Sequence, residues 1–494
     1  MNYKANTSAN FNPIWLRNIR YLCYLVSLTI LAATVYRFIS ILISRPVLYP
    51  SGDQLIWIKN VLIPLKNGNI GLIEAITYEY NSLSHSHIPQ LAWFIFNERV
   101  FNLNLKLDMV VGFCALIGSF LLLARYLIKS FSFTCTNCLS VVAISTIIFS
   151  TGNGSMFSWS ILLFQFVGVF IGLIFLYKLP ILLQSSFWKL ALSSTAVLLF
   201  SGPVGVGAIL SSVIIMLLFT ATDKSRIAYI LAYFLYLVLT ILLLGVLFDG
   251  GRVHSSTGVS NFVLFILKNP YEFLQGGLNS LAQVLVHERG IKPTSYFTFL
   301  PSYIVGISVT LFAFGALFFA ARDWLFNSRV TQQEYIFPVA LIITGLFLIG
   351  GTLQSRLPDH GFAYILAPRY FTNFSILGIG ILLCLNQWSD SNRHGLSKTI
   401  TPMLCIIVTF FNWNSSTVVA KNINSTDKYI KIRTEAMQNW QNVEFEKVQS
   451  LIGGPCKNEK ICYDNINYLQ ENGLSVFKNK LDAEATQKLK PENK

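Results

Sequence analysis

The chain has 494 residues, 53% of them hydrophobic and only 12% charged, with a mean hydropathy of +0.55. A water-soluble domain carries about a quarter charged residues, so half that share excludes soluble and fibrous classes and marks a polytopic membrane protein. The formal charge of +14 is read as the basic quota of inner loops, and no nucleic-acid site is inferred from it.

Lys4, Arg17 and Arg20 lead into an apolar stretch over 19–44, which at about 1.5 Å per residue exceeds the roughly 30 Å core of a bilayer. It is expected to stay as the first span, with the N-terminus cytoplasmic behind its basic residues. Further spans are expected at about 108–128, 138–152, 156–177, 188–201, 203–221, 227–247, 302–321, 334–351, 372–387 and 399–413. The fold class is therefore all-α, with about eleven transmembrane helices over 1–413 and a small soluble tail domain over 414–494. Arg125, Lys129, Lys178, Lys189, Lys224, Arg226, Arg322, Arg329, Arg393 and Lys398 then share the side of the N-terminus. An odd count puts the C-terminus on the outer, periplasmic side. Ser201-Gly202-Pro203 leaves open whether the chain there makes two spans or one kinked or re-entrant segment.

Outer loops are expected at about 45–107, 249–301 and 351–371. In the first, 55–65 and 88–100 are amphipathic stretches suited to lying along the membrane surface. Of the six histidines, His85, His87, His254, His287 and His360 fall outside and His394 inside, so the chemistry is expected to face outward. Cys23, Cys114, Cys384 and Cys405 read as packing residues within spans. Cys135 and Cys138 have a zinc or redox spacing without a second half nearby, and also read as packing. Cys456 and Cys462 in the outer tail are expected to close a short structural disulfide.

Asp53 follows the first span in Tyr49-Pro50-Ser51-Gly52-Asp53-Gln54. A carboxylate at the membrane surface suits a general base for a sugar hydroxyl; the same residue is also a good helix cap. Glu79 precedes His85 and His87, whose spacing suits a shared metal or a phosphate, or simply a solvated loop. Arg356, His360, Arg369 and Tyr370 bring cations and aromatics to interfacial depth, fit for a lipid phosphate or for anchoring in the headgroup belt. Arg37, inside the first span, either snorkels or holds an anionic headgroup. Asn153, Trp159 and Gln165 could contact a sugar, with packing between helices as the blander role.

The order of these features resembles the GT-C superfamily of integral-membrane glycosyltransferases: Asp53 after the first span, His85 to Leu91 closing the long first loop, Gly152-Asn153 with Trp159 and Gln165, and Pro368-Arg369-Tyr370. The size and tail are similar to serotype-converting O-antigen glucosyltransferases of temperate phages. That resemblance implies transfer of a sugar, with glucose expected, from a polyprenyl-phosphate donor to a lipid-linked O-antigen acceptor at the periplasmic face of a bacterial inner membrane, with inversion. It implies Asp53 or Glu79 as catalytic acid, Arg369, supported by Arg356, His360 and Arg37, at the donor phosphate, and His85, His87, Tyr370 and Gln165 near substrate. The family's doubled acid is absent, Gln54 following Asp53, so a divalent metal is possible without being indicated. Rival expectations are an O-antigen polymerase, a lipid-linked sugar flippase or transporter, and a purely structural membrane protein.

Overall fold

The computed structural model describes residues 14–44, 50, 53–78, 88–130, 134–150, 163–220, 227–248, 259–285, 296–326, 329–365, 368–390, 395–421, 423–446, 448 and 459–477. Among them every regular element is helical and no strand occurs. The absence of sheet follows from the medium: each backbone N–H and C=O inside hydrocarbon must be satisfied within its own segment.

The first long helix is α1 (Ile14–Ser44), followed by α2 (Asp53–Trp57), a π-turn at Ile58–Leu62, α3 (Ile63–Lys66), α4 (Leu72–Ile76) and α5 (Ile88–Phe101). The bundle continues with α6 (Leu105–Ser130), α7 (Cys135–Ile148), α8 (Leu163–Leu182), α9 (Phe187–Phe200), α10 (Gly202–Thr220) and α11 (Ile227–Phe248). After α12 (Val259–Lys268) and α13 (Pro270–Ala282) come α14 (Tyr296–Phe326), α15 (Arg329–His360), the short α16 (Phe362–Ile365), α17 (Pro368–Asp390) and α18 (Gly395–Lys421). The C-terminal part adds α19 (Ile423–Gln438) and α20 (Glu459–Glu471).

Six of these helices are long and apolar enough to cross a membrane, over Tyr21–Ile43, Leu105–Ile128, Gln165–Leu182, Ser302–Arg322, Tyr335–His360 and Tyr370–Ser389. Four apolar helices are shorter, over Cys135–Ile148, Phe187–Phe200, Gly202–Leu218 and Ile227–Thr240. The six long helices make this an all-α, membrane-embedded chain. Each of the eleven segments expected from hydropathy falls largely within a helix, but α18 meets neither the long nor the short description. At Ser201-Gly202-Pro203 the chain makes a tight turn between α9 and α10, with Gly202 at φ +53°.

Contacts between helix ends define two faces. Tyr126, Tyr177 and Phe337 form an aromatic triangle, with centroids 4.9 Å, 5.7 Å and 6.4 Å apart, at the ends of α6 and α8 and the start of α15. Phe319 on Trp388 at 5.2 Å brings the ends of α14 and α17 together. The exposed cations Arg125, Lys178, Lys189, Arg322 and Lys398 lie near these ends, giving a basic face. The opposite, loop face carries the α5–α6 turn, the end of α15, the start of α17 and the C-terminal helices.

The core is α17, buried along the whole of 371–389. Its close neighbour α15 approaches so tightly that a Cβ at Gly345 would lie 2.5 Å from that of Leu377, and one at Gly380 2.8 Å from the Ile342 nitrogen. Small residues are what allow two helix backbones to meet in a bilayer, where packing replaces hydrophobic association.

Three expectations about the loops change. First, 55–65 does not present its apolar side to lipid: Leu55, Trp57, Ile58, Val61 and Leu62 are buried in protein, with Trp57 edge-on to Phe94 at 5.4 Å. Second, 351–360 continues α15 as helix through Pro358 instead of forming a loop. Third, part of 249–301 enters the bundle. Along α13, Gly276 faces Leu353 and Leu357; Leu278 O lies 2.3 Å from where a Gly306 Cβ would be, and Val284 O 2.5 Å from a Gly378 Cβ. The segment therefore descends beside α14, α15 and α17 to the middle of the membrane-crossing helices. Hydropathy does not mark it because its close fit depends on glycines and small polar residues.

The C-terminal part docks on the first loop. Ser475 N donates to Asn102 O at 3.0 Å, Tyr468 OH to Glu98 Oε1 at 3.2 Å, and Lys66 Nζ to Asn472 Oδ1. The receiving turn is strained, Asn102 and Leu103 having φ of +55° and +54°. Asn97 over-determines it: its Oδ1 accepts from Asn104 N at 2.8 Å, and its Nδ2 donates to Asn104 O at 3.2 Å and to buried Asp108 at 2.9 Å. Cys462 is disulfide-bonded; Cys456, its expected partner, lies outside the described residues. No break separates 413 from 414, since α18 runs through both.

Candidate functional site

Asp53 is the first residue of α2, and Gln54, Leu55 and Trp57 after it are buried. That anchors the backbone of Asp53 on the protein; its side chain lies outside the described residues, as do Glu79, His85, His87, Asn153, Trp159, His254 and His287. Arg369 is helical at the second position of α17, its side chain likewise undescribed. Gln165 is half-buried on the first turn of α8.

Arg37 neither points to solvent nor stands free. Its Nη1 donates to Trp413 O at 3.1 Å and Thr417 Oγ1 at 3.0 Å, and its guanidinium lies 3.8 Å from the Trp413 ring centroid. The charge is thus desolvated against α18, with hydrogen bonds and a ring face in place of water.

The late residues do converge. His360 ends α15 and lies 4.4 Å from the Tyr364 ring; Tyr364 is 6.3 Å from Tyr370, and Tyr370 is stacked on Phe374 at 6.1 Å and 18°. A ladder of rings therefore runs from exposed His360 down to fully buried Phe374. Arg356, one turn before His360, is half-buried on the same face of α15. Glu272, in the first turn of α13, puts its carboxylate Oε1 3.5 Å from the Cβ position of Gly361, the residue that links α15 to α16 with φ +70°. Together these give the loop face a cation, an acid, an imidazole and an aromatic wall.

Below them is a layer of neutral amides. On α13 and its C-terminal cap, Gly276, Asn279, Ser280 and Gln283 are all buried, at i, i+3, i+4 and i+7, while Tyr271 and Leu274 of the same helix are exposed. This inverted amphipathicity turns the polar face inward, as expected of a segment surrounded by hydrocarbon. Asn279 Nδ2, Gln283 Oε1, Asn373 Oδ1 and Asn412 Oδ1 are buried without a partner among the described residues. Asn412 Nδ2 ties the layer to the end of this segment through Leu285 O at 2.6 Å. An unmet buried polar atom costs about 1–3 kcal/mol, so such a layer suits water or a hydroxyl-bearing ligand.

Sequence reasoning missed Glu272, Tyr364 and the amides. The polar stripe on α13 has legible helical spacing, but hydropathy assigned the whole of 249–301 to an outer loop. It also missed that the Cys23 thiol of α1 lies beside those of Cys135 and Cys138 on α7. Among the described residues no group of three or more His, Cys, Asp or Glu could hold a metal ion.

The fold and these features define an all-α, membrane-embedded protein with a mixed polar and aromatic cluster at one end. No protein-family model, curated protein or solved structure matches the chain significantly.

Proposed function

We propose that the protein is a glycosyltransferase of the GT-C type that transfers a sugar, with glucose the leading candidate, from a polyprenyl-phosphate donor to lipid-linked O-antigen or a related surface polysaccharide. The observation that carries this reading is the ladder of His360, Tyr364, Tyr370 and Phe374 beside Arg356 and Glu272 at the loop face. Ring faces suit the C–H side of a pyranose, a guanidinium suits phosphate oxygens, and neutral amides suit hydroxyls.

In the reaction, the acceptor hydroxyl loses its proton to Asp53 and its oxygen attacks the anomeric carbon. The bond from that carbon to the phosphate oxygen breaks, and its electron pair leaves with the lipid phosphate. Attack opposite the leaving group inverts the anomeric centre. Arg369 and Arg356 balance the charge developing on the phosphate, which is the larger electrostatic contribution. This orientation requires the loop face to be periplasmic and the basic face cytoplasmic in a bacterial inner membrane.

Mass spectrometry of the surface polysaccharide from a host supplying donor and acceptor, with and without this chain, tests the reading. A gain of one hexose per repeat unit is expected. Altered chain length at unchanged repeat mass identifies a polymerase instead, and no change in either, with the protein expressed, rejects both. Asp53→Asn should abolish the gain at normal expression, by at least about 100-fold if it is the general base; Glu79→Gln and Glu272→Gln, compared beside it, show whether the base lies elsewhere.

A further inference from the structure

An apolar cavity of about 440 Å³ lies between α10, α14 and α15 in the half of the bundle nearer the basic face. Leu218, Leu317, Ala320, Ala321, Val339 and Ile343 are among its walls, the two alanines leaving the space that larger side chains would fill. Its level is fixed by the sequence of α15: Val339 and Ile343 lie two and six residues beyond Phe337, within about two turns of the aromatic triangle that marks the basic end. Phe347 of its lining is itself exposed, as are Leu217 and Phe318, each next in sequence to a wall residue. Arg322, exposed, follows Ala321 directly at the end of the crossing segment of α14.

These features select an occupant. Water needs two to four polar partners, and these walls offer almost none. Leaving the space empty forfeits the dispersion contacts of its whole lining. A hydrocarbon chain recovers them, and one that enters from the bilayer at this depth carries its polar head to the basic face, where Arg322 favours an anionic phosphate. A polyprenyl donor does not match as well, because its phosphate is needed at the opposite face for the transfer proposed above. We propose that this cavity holds an acyl chain of an anionic phospholipid from the leaflet at the basic face, with Arg322 at its headgroup. The site is separate from the loop-face cluster, and only the preference over a polyprenyl occupant rests on the transfer proposed above.

The test uses the full chain in vesicles of phosphatidylglycerol and phosphatidylethanolamine, with a photoreactive diazirine on the acyl chain of one lipid at a time. Crosslinks from the phosphatidylglycerol probe should concentrate in 317–321 and 339–347 relative to the exposed face of α1. Ala321→Phe, at a half-buried wall position, should cut that labelling by at least about tenfold. Arg322→Gln leaves the walls intact and should make the two probes label about equally. Labelling spread evenly over α1 and the cavity, labelling unchanged in a folded Ala321→Phe protein, or equal labelling by the two probes in the unaltered chain would each overturn the proposal. So would extraction of a polyprenyl phosphate as the resident lipid. If Ala321→Phe does not fold, the probe comparison in the unaltered chain and in Arg322→Gln decides the matter.

Discussion

Arg37 shows how a charge survives inside a bilayer-crossing helix. It exchanges water for the Trp413 carbonyl, the Thr417 hydroxyl and the Trp413 ring. Hydrogen bonds from a charged donor contribute about 1.5–3 kcal/mol each and a cation over a ring roughly 1 kcal/mol, offset in part by desolvation of the guanidinium, so Arg37→Ala should cost on the order of 2 kcal/mol and lower the thermal midpoint in detergent. Arg37→Lys should recover only part, because the ammonium cannot stack. A midpoint unmoved by Arg37→Ala would leave the contact without energetic weight. Tyr468 is a second case, at the docked C-terminal part. Burial, and then the Glu98 carboxylate that accepts its hydroxyl, raise its phenol well above the ordinary value. The docked form thus keeps a proton that the released form gives up near pH 10, so docking is undiminished below that pH and weakens as pH rises above it. Limited proteolysis against pH should show the C-terminal part becoming sensitive above about pH 10, and Tyr468→Phe should flatten that dependence.

Between elements, the decisive contacts are backbone against backbone. α13 can descend beside α14 and α17 only because Gly306 and Gly378 have no Cβ to meet the Leu278 and Val284 carbonyls, 2.3 Å and 2.5 Å from where it would lie. Gly306→Ala must therefore push α13 away or strain α14, at a cost of about 1–3 kcal/mol. Hydrogen exchange should rise over 276–285 in that variant, and its polar face should lose register with Asn373 and Asn412. Gly315→Ala on the same helix, where a Cβ meets nothing within 4 Å, is the control and should be neutral. Equal effects of the two substitutions would count against the close approach as the cause.

For the whole molecule, the question is how many times the chain crosses. Six helices meet the length and hydropathy of a span, and four shorter apolar ones lie among them in the sequence. If all cross together with α18, Lys66 and Lys189 lie on opposite sides of the membrane, at the loop face and the basic face. Single cysteines placed at 66 and 189, in a background lacking other reactive thiols, should then react with an impermeant maleimide from opposite sides. Reaction from one side only would mean that some of the short helices are re-entrant. The docked C-terminal part belongs to this scale too, since it ties residues 468–475 to the turn after α5 across more than 360 positions of sequence.

The all-helical, membrane-embedded class was determined by the sequence alone, because low charge and long apolar runs are statements about solvent. The basic ends of the spans were legible in the same way, through Arg125, Lys178, Lys189 and Arg322. So was the cluster of Arg356, His360 and Tyr370 as a polar group near one face, though the helix that carries Arg356 and His360 was not. What tertiary structure decided was every feature that depends on proximity between distant segments: the descent of α13, the Glu272 carboxylate against Gly361, the bond from Arg37 to α18, and the cavity beside Ala321. Hydropathy averages over neighbours along the chain, whereas these arise from glycines, alanines and single polar atoms whose partners lie in other helices.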